Sequence, residues 1–374
     1  MLAKVDKIFQ IAKGIIFGFG YDENFLYFCA HFNADIFIQM NKFLLLLPVF
    51  FIEISFCFES NAQTFSDTHA NSPADSLKYG VITVSVADGR TEGKFEVEMG
   101  TQLLLGMPVK ILQHQGWWQI ESPEGYVVWL EPSAFVKMNK EDFNRWTSAK
   151  KVIFTDEFGF AYEIPDEHKQ RSSDLVFGDL LKFEGENRRF FHVSYPDGRK
   201  AYVLKTQAAL FDRWQSSRQL TEESIVKTAL TLKGIPYTWG GTSVKGMDCS
   251  GFSKTVFLKN GVILKRDASQ QAQTGTPVDI SKGYDRLRPG DLMFFGKKAT
   301  SEAGEHIRHV AIYIGNKEFI QASGYIRISS LDPDKSNFDS LNTREFVRVR
   351  RIIGSVGSKG IWKIKDNPLY QVQK

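Results

Sequence analysis

One cysteine of this chain lies among polar residues at the start of an apolar helical pattern. Cys249 falls within the run Gly-Met-Asp-Cys-Ser-Gly-Phe at positions 246–252, and the apolar residues Phe252, Val256 and Phe257 follow at helical spacing. A thiol at a helix N-terminus is favoured as the thiolate, because the helix dipole and the free N–H groups stabilise negative charge. The pattern therefore predicts a nucleophilic cysteine.

The chain has three cysteines, and the other two lie in an apolar N-terminal stretch that we expect to be removed. These two are Cys29 and Cys57. Without them Cys249 has no partner for an intramolecular disulfide, so in an oxidising compartment it is either a buried packing residue or a working thiol. Its polar neighbours favour the working thiol.

The N-terminal stretch has the pattern of a secretory signal peptide that begins at Met40. An apolar core at 43–51 follows a short positive segment, and small residues at 60–62 offer a signal peptidase site. Glu53 interrupts the apolar run well short of the roughly 20 residues that a membrane-spanning helix needs. We expect residues 1–62 to be an upstream extension plus this signal peptide, and the mature protein to be periplasmic or secreted, without a stable membrane anchor.

A cysteine nucleophile needs a base beside the thiol and a polar group that orients the base. Segment 308–323 predicts two strands joined near a Gly-Asn pair, with His309 on the first strand and Gln321 on the second. A loop at 315–317 would place both side chains on one face, whereas a two-residue loop would place them on opposite faces. His306 is a rival base, but it lies outside the strand pattern.

Two stretches upstream, 105–130 and 177–203, resemble one another. Each alternates apolar and polar residues, and each is broken by a Pro-x-Gly turn, at 123–125 and at 196–198. Short strands joined by such tight turns are typical of small β-barrels. The repeat therefore predicts two barrels in tandem, similar to bacterial SH3-like domains.

Downstream of the repeat, Thr221 is predicted to cap a helix with an acidic first turn, and a further helix and several strands follow. This order is typical of an α+β domain. The predicted organisation is a linker at 63–78, a first SH3-like domain at 79–140, a second at 150–212, a catalytic domain at 221–353 and a C-terminal tail at 354–374 without an assigned role.

Composition narrows the classes of partner. The 374 residues are 43% hydrophobic and 24% charged with a net charge of +4, as in an ordinary globular protein of two or three domains. No dense stripe of Lys and Arg is present, which argues against nucleic-acid binding. One remaining cysteine and scattered histidines give no zinc-ligand spacing, so we expect neither a metal nor another cofactor.

Four motifs occur in one order across the predicted catalytic domain. They are Pro-Tyr-Thr-Trp-Gly-Gly at 236–241, Asp-Cys-Ser-Gly-Phe at 248–252, Arg-Pro-Gly-Asp-Leu at 288–292 and His-Val-Ala-Ile-Tyr-Ile-Gly-Asn at 309–316. With them the chain resembles the NlpC-type family of bacterial cell-wall cysteine peptidases. The resemblance implies a papain-like α+β core behind two all-β SH3-like barrels. It also implies cleavage of peptidoglycan stem peptides between γ-D-glutamate and a diamino acid.

The resemblance also implies roles for individual residues. Cys249 would be the nucleophile, His309 the base and Gln321 the third member that orients the base. Many members of the family have histidine at the third position, so glutamine departs from the commonest pattern. Tyr237 would donate to the oxyanion together with the backbone N–H of Cys249.

The tandem arrangement resembles a subgroup that trims free stem peptides beginning with L-Ala-γ-D-Glu. In that subgroup an acidic residue and a tyrosine of the first barrel, with the aspartate before the nucleophile, hold the free amine of the substrate. The implied substrate-binding residues of this chain are Tyr126, Asp248, Ser250, Ser269, Trp239 and, as the acidic residue, Glu98 in preference to Glu92.

Two other functions remain open from the sequence. The chain could be a non-catalytic module that binds the cell wall, or an acyltransferase or amidase acting on another amide. The sequence also leaves open whether the diamino acid is diaminopimelate or lysine.

Overall fold

The computed structural model describes residues 77–373 of the chain. The predicted signal peptide, the first two cysteines and most of the predicted linker lie outside the described residues. Among the described residues the only free cysteine is Cys249.

The first folded region is an antiparallel sheet of seven short strands. Its spatial order is β3-β2-β6-β5-β4-β1-β7. Val109, Ile120 and Val128 are fully or almost fully buried inside it. The strands are β1 Tyr79–Ile82, β2 Val86–Arg90, β3 Met99–Leu104, β4 Pro108–Gln115, β5 Trp117–Glu121, β6 Val127–Leu130 and β7 Phe135–Met138.

A second seven-stranded sheet repeats this topology. Its order is β10-β9-β13-β12-β11-β8-β14, which is the first order with each strand advanced by seven. The internal repeat predicted from the sequence is therefore confirmed. The strands are β8 Lys151–Phe154, β9 Phe158–Tyr162, β10 Arg171–Val176, β11 Leu180–Glu186, β12 Phe190–Ser194, β13 Lys200–Leu204 and β14 Ala208–Leu210.

Six α-helices connect or cover the sheets of the described region. The predicted capping residue Thr221 is confirmed, since its hydroxyl accepts from the N–H of Ser224 and the Ser224 side chain accepts in return. The helices are α1 Lys140–Ser148, α2 Phe211–Ser216, α3 Glu222–Thr231, α4 Cys249–Lys259, α5 Ala268–Gln271 and α6 Ser340–Arg344.

The third region is an α+β unit in which α4 packs against a six-stranded antiparallel sheet. Phe252 and Phe257 of the helix meet Phe294, Val310 and Ile312 of the sheet, all fully buried. The sheet order is β18-β23-β19-β20-β21-β22, and two strand pairs, β15-β16 and β17-β24, lie outside it. The strands are β15 Thr242–Ser243, β16 Gly246–Met247, β17 Val262–Leu264, β18 Thr276–Val278, β19 Leu292–Lys297, β20 His306–Gly315, β21 Glu318–Ser323, β22 Tyr325–Ser330, β23 Phe346–Arg351 and β24 Ile361–Lys363.

The turn between β20 and β21 determines which side chains of the two strands lie on the same face of the sheet. It does so in a way that the sequence did not predict. The loop has two residues, Asn316 and Lys317, both with positive φ as in a type I′ turn. Gly315 pairs with Glu318, but the register then shifts and Tyr313 pairs with Phe319. This bulge restores the odd-with-odd alternation, so the expectation that a two-residue loop separates the predicted base and its orienting residue is wrong.

The C-terminal segment, to which we assigned no role from the sequence, connects the α+β unit with the first β region. Strand β24 pairs with β17. Beyond it Asn367, which is 1% exposed, donates from its side chain to the carbonyl of Pro123 at 2.7 Å in the first β region.

Among the described helices none is both long enough and apolar enough to cross a bilayer.

Replacement of Asn367 by alanine tests this connection. The change leaves the buried Pro123 carbonyl without its donor, so we expect a loss of about 1–3 kcal/mol in the free energy of unfolding. Urea denaturation measures the loss, and Gln371→Ala, an exposed site in the same segment, is the matched control. Equal midpoints for both variants would contradict a role of the segment in holding the regions together.

Candidate active site

Cys249 is the first residue of α4, and Asp248 is the N-cap of that helix. One carboxylate oxygen of Asp248 accepts from the N–H of Gly251 at 2.7 Å. The backbone N–H groups of Ser250 and Val310 lie near enough to the Cys249 sulfur to lower its pKa. Since Val310 directly follows His309 in β20, the helix N-terminus presents the thiol to the strand that carries the predicted base.

The predicted thiolate is not the resting state of this cysteine. Burial, and after it the negative charge of Asp248, raise the pKa of Cys249 to about 11. The expectation of a thiolate rested on the helix N-terminus alone, and burial and the Asp248 charge oppose that effect and are larger. The thiol of the unliganded site is therefore protonated near neutral pH.

His309 is also buried and also neutral. Burial lowers its pKa to about 4, although the hydrogen bond to Gln321 acts in the opposite direction. Its ring packs against Phe295, with 5.8 Å between the centroids. The rival base His306 is the first residue of β20, rather than outside it, and is exposed.

Gln321 contacts the imidazole as predicted and fixes which nitrogen carries the proton. Its Oε1 lies 2.6 Å from His309 Nε2. Its Nε2 donates to Ser329 Oγ and to a carboxylate oxygen of Asp339, each at 2.8 Å. Because the carboxylate only accepts, Oε1 must face the histidine, so His309 Nε2 carries the hydrogen and Nδ1 keeps its lone pair.

The arrangement can therefore carry out general-base-assisted attack by a thiol. A neutral imidazole with a free Nδ1 can take the proton of a neutral thiol as the sulfur attacks a carbonyl carbon. The predicted oxyanion donor Tyr237 is half-buried, and burial raises its pKa, with the charges of Cys249 and Asp248 adding to the effect. The Tyr237 hydroxyl thus lies close enough to Cys249 to interact with its charge. The hydroxyl stays protonated and can donate a hydrogen bond.

A buried arginine that the sequence analysis missed forms an ion pair with Asp248. Arg266 is 1% exposed, and its guanidinium contacts both carboxylate oxygens of Asp248, at 3.2 and 2.5 Å. Asp248 also accepts from the N–H groups of Gly240 and Gly251 and from the Ser250 hydroxyl. A carboxylate accepts about four hydrogen bonds, so these donors use its capacity.

The predicted residue Tyr126 reaches this cluster from the first β region. Burial raises the pKa of Tyr126 to about 12, and the next cause is the negative charge of the neighbouring Asp267. Burial also raises the pKa of Asp267. Asp267, which the sequence analysis passed over, is thus the carboxylate that meets the tyrosine, whereas Asp248 meets the arginine.

The other predicted substrate contacts occupy different settings. The buried Ser250 hydroxyl accepts from Arg266 at 2.9 Å. Ser269 is exposed on α5, and Trp239 is 63% exposed in the loop after Tyr237. The exposed Glu98 directly precedes β3, whose first residues approach the site, because a Cβ on Gly240 would lie 2.3 Å from the carbonyl oxygen of Met99.

Polar contacts fix the first β region against the α+β unit. Gln102 Oε1 accepts from the N–H of Thr242 at 3.1 Å and from the Ser243 hydroxyl at 3.0 Å. The ammonium of Lys254 lies 2.8 Å from the carboxylate of Glu124, with 7% and 2% of the two side chains exposed. These contacts hold the first β region in place against the α+β unit. Over residues 77–373 no group of three or more His, Cys, Asp or Glu side chains is placed to hold a metal ion.

Comparison with known proteins identifies the family. The sequence profile of the NlpC/P60 family matches residues 234–346, a span that includes Cys249, His309 and Gln321. The chain carries an NlpC/P60 domain at residues 234–346. It is therefore a cysteine peptidase with a papain-like core.

Curated relatives extend the similarity into the β regions. A gamma-D-glutamyl-L-lysine dipeptidyl-peptidase of Bacillus cereus is 29% identical over 234 residues, which are 60% of this chain and 67% of that protein. The protein of the same name from Bacillus subtilis is 29% identical over 231 residues, 59% of this chain and 71% of that protein. A crystal structure of an NlpC/P60 family protein from Bacillus cereus shares the fold, with a TM-score of 0.61, 24% identity and coverage of 73% of this chain and 99% of that one.

The neutral state of His309 predicts a specific dependence of stability on pH. An unfolded histidine has a pKa of about 6.5, whereas in the folded protein it is about 4. Between these values the unfolded chain binds a proton that the folded protein does not, so stability falls as the pH falls. The full loss is roughly 3 kcal/mol.

Urea unfolding of the wild type and of His309→Asn at pH 7 and pH 4 isolates this contribution. We expect the wild type to lose roughly 3 kcal/mol more than the variant, which lacks the titrating ring. Parallel losses in the two proteins would show that the ring is not held neutral by the fold.

Proposed function

We propose that this protein hydrolyses the bond between γ-D-glutamate and a diamino acid in peptidoglycan stem peptides that begin with a free L-Ala. The observation that carries the proposal is the charge of the cluster beside the thiol. Asp248 and Asp267 supply two carboxylates, and Arg266 supplies one guanidinium. The names of the relatives, which specify a gamma-D-glutamyl-L-lysine bond, support the choice of scissile bond.

In the proposed reaction Cys249 is the nucleophile and His309 the base. The thiol proton passes to His309 Nδ1 as the sulfur bonds to the γ-carbonyl carbon of the D-glutamyl residue. The oxyanion accepts from the Tyr237 hydroxyl and from the N–H of Cys249. The imidazolium then gives its proton to the departing amine, and water, deprotonated by His309, releases the L-Ala-γ-D-Glu product from the thioester.

The excess carboxylate suits the ammonium of a free N-terminus. Because Arg266 neutralises Asp248, we assign the ammonium contact to Asp267 and the neighbouring Tyr126 hydroxyl. An N-acylated peptide would leave the Asp267 charge without a counter-charge as the cleft loses water, and such a loss is costly for a half-buried carboxylate. We propose Glu98, Ser250, Ser269 and Trp239 as further substrate contacts.

We also propose that the two seven-stranded regions are SH3-like barrels and that the protein works outside the cytoplasm. The repeated topology and the fixed contacts of the first region with the α+β unit support a barrel that forms one wall of the cleft. The apolar segment after Met40, which lies outside the described residues, supports export.

The decisive measurement compares kcat/KM for L-Ala-γ-D-Glu-L-Lys, its diaminopimelate counterpart and the N-acetylated form of each. We expect release of the L-Ala-γ-D-Glu dipeptide from the free peptides, and at least 100-fold slower cleavage of the acetylated ones. That ratio corresponds to about 2.7 kcal/mol, a typical cost of leaving one buried charge without its partner. Equal rates would remove the amine requirement, and failure to release the dipeptide would remove the proposed bond.

Asp267→Asn tests the residue that we assign to the amine. Asparagine preserves the N-cap of α5 while it removes the charge. We expect the variant to lose at least tenfold in kcat/KM on the free peptide and to change little on the acetylated one, because only the free amine gains from the carboxylate. Gln273→Ala, at an exposed position just after the same helix, is the matched control. An equal loss on both substrates would assign Asp267 a structural role instead.

A further inference from the structure

A closed group of polar side chains surrounds Gln321 on the side away from the thiol. Gln321, Ser329 and Asn342 are 0, 3 and 5% exposed. We call this group the polarity cluster, and its members are Arg308, Gln321, Ser329, Asp339 and Asn342.

Asn342 can adopt only one orientation in the polarity cluster. Its Oδ1 accepts from a guanidinium nitrogen of Arg308 at 2.8 Å. Its Nδ2 donates to a carboxylate oxygen of Asp339 at 2.9 Å and to Gln321 Oε1 at 3.0 Å. Because a guanidinium only donates and a carboxylate only accepts, the two charged groups determine which end of the amide faces each of them.

Gln321 is oriented by the same two charged groups. Asp339 requires the amide nitrogen of Gln321, and the Asn342 N–H requires its oxygen. The reversed amide would set N–H against N–H and oxygen against a carboxylate at a buried position, with the loss of both hydrogen bonds. Since Oε1 is thereby held toward His309, the ring must carry its proton on Nε2.

We propose that Asp339 and Asn342 are positioning residues that set the tautomer of His309 through the orientation of Gln321. Neither residue touches the thiol or the imidazole. Their effect is to keep His309 Nδ1 free of a proton, which is the state that a general base needs. The inference rests on His309 acting as the base of the proposed reaction, but not on the identity of the substrate.

Exchange of the two residues tests the proposal without emptying the site. Asp339→Asn together with Asn342→Asp keeps the charge, the size and the N-cap of α6, because asparagine caps as well as aspartate. The carboxylate at position 342 still accepts from Arg308. It now requires the amide nitrogen of Gln321, which turns N–H toward His309 and moves the ring proton to Nδ1.

Two measurements follow the exchange. The ¹⁵N shifts of the His309 ring report which nitrogen carries the proton, and we expect the wild type to be protonated on Nε2 and the double variant on Nδ1. We also expect kcat to fall by about 10²-fold or more, as a wrong histidine tautomer does in other hydrolases, while KM changes little. Labelling of Cys249 by chloroacetamide, which needs no peptide substrate, should slow in parallel.

Thr343→Val is the matched control on the same helix. The Thr343 hydroxyl is buried without a hydrogen-bond partner among the described residues, so its loss should leave kcat and the ¹⁵N shifts as in the wild type. The proposal is overturned if the double variant keeps the Nε2-protonated ring, or if its kcat and labelling rate stay within threefold of the wild type.

If the double variant does not fold, Asn342→Asp alone decides. Its carboxylate accepts from Arg308 and, like Asp339, requires the amide nitrogen of Gln321, so we expect both orientations of Gln321, a mixture of the two His309 tautomers and a smaller loss of kcat. A single Nε2-protonated form in this variant would contradict the proposal. Because the tautomer and the labelling rate are measured without a peptide, an error in the proposed substrate would not alter either result.

Discussion

The buried ion pair between Arg266 and Asp248 is the contact on which the geometry of the site depends. Asp248 caps the helix that begins with the nucleophile, and it holds the preceding loop through the N–H of Gly240. The same guanidinium reaches the Thr101 hydroxyl in the first β region at 2.9 Å. One side chain thus connects the helix that begins with the nucleophile, the preceding loop and the first β region. Removal of one member of such a pair typically costs about 3–5 kcal/mol.

This pair also has an electrostatic consequence for the thiol. A bare carboxylate next to Cys249 would oppose ionisation of the sulfur more strongly than one whose charge is compensated. Arg266 lowers the pKa of Cys249, but burial and Asp248 together outweigh it. The site therefore keeps a neutral thiol and a neutral imidazole, and the proton must move during attack rather than before it.

The sequence predicted the local parts of this arrangement. Cys249 at a helix N-terminus and His309 and Gln321 on adjacent strands follow from residue type and spacing, and the topological repeat follows from the alternation and the Pro-x-Gly turns.

The missed features depend on contacts between segments far apart in the chain. The bulge before Gly315 is a property of the pairing of β20 with β21, and Arg266 contacts Asp248 and Thr101, which lie 18 and 165 residues away in the chain. The burial that reverses the expected ionisation of Cys249 likewise requires the whole fold. The pair Arg266-Asp267, which follows the apolar strand at 262–264 after one lysine, was a local signal of a charged cluster but not of the partners of that cluster.

The neutral resting state is also the reason why the polarity cluster matters. In a thiolate–imidazolium pair both ring nitrogens of His309 would carry hydrogens, so the orientation of Gln321 could not select a tautomer. A neutral ring carries one hydrogen, on either Nδ1 or Nε2, and only the tautomer with Nδ1 free can accept the thiol proton. The activity of a site that buries its thiol and its base therefore depends on the tautomer of the base. Asp339 supplies the fixed acceptor and Asn342 the fixed donor that select this tautomer through Gln321.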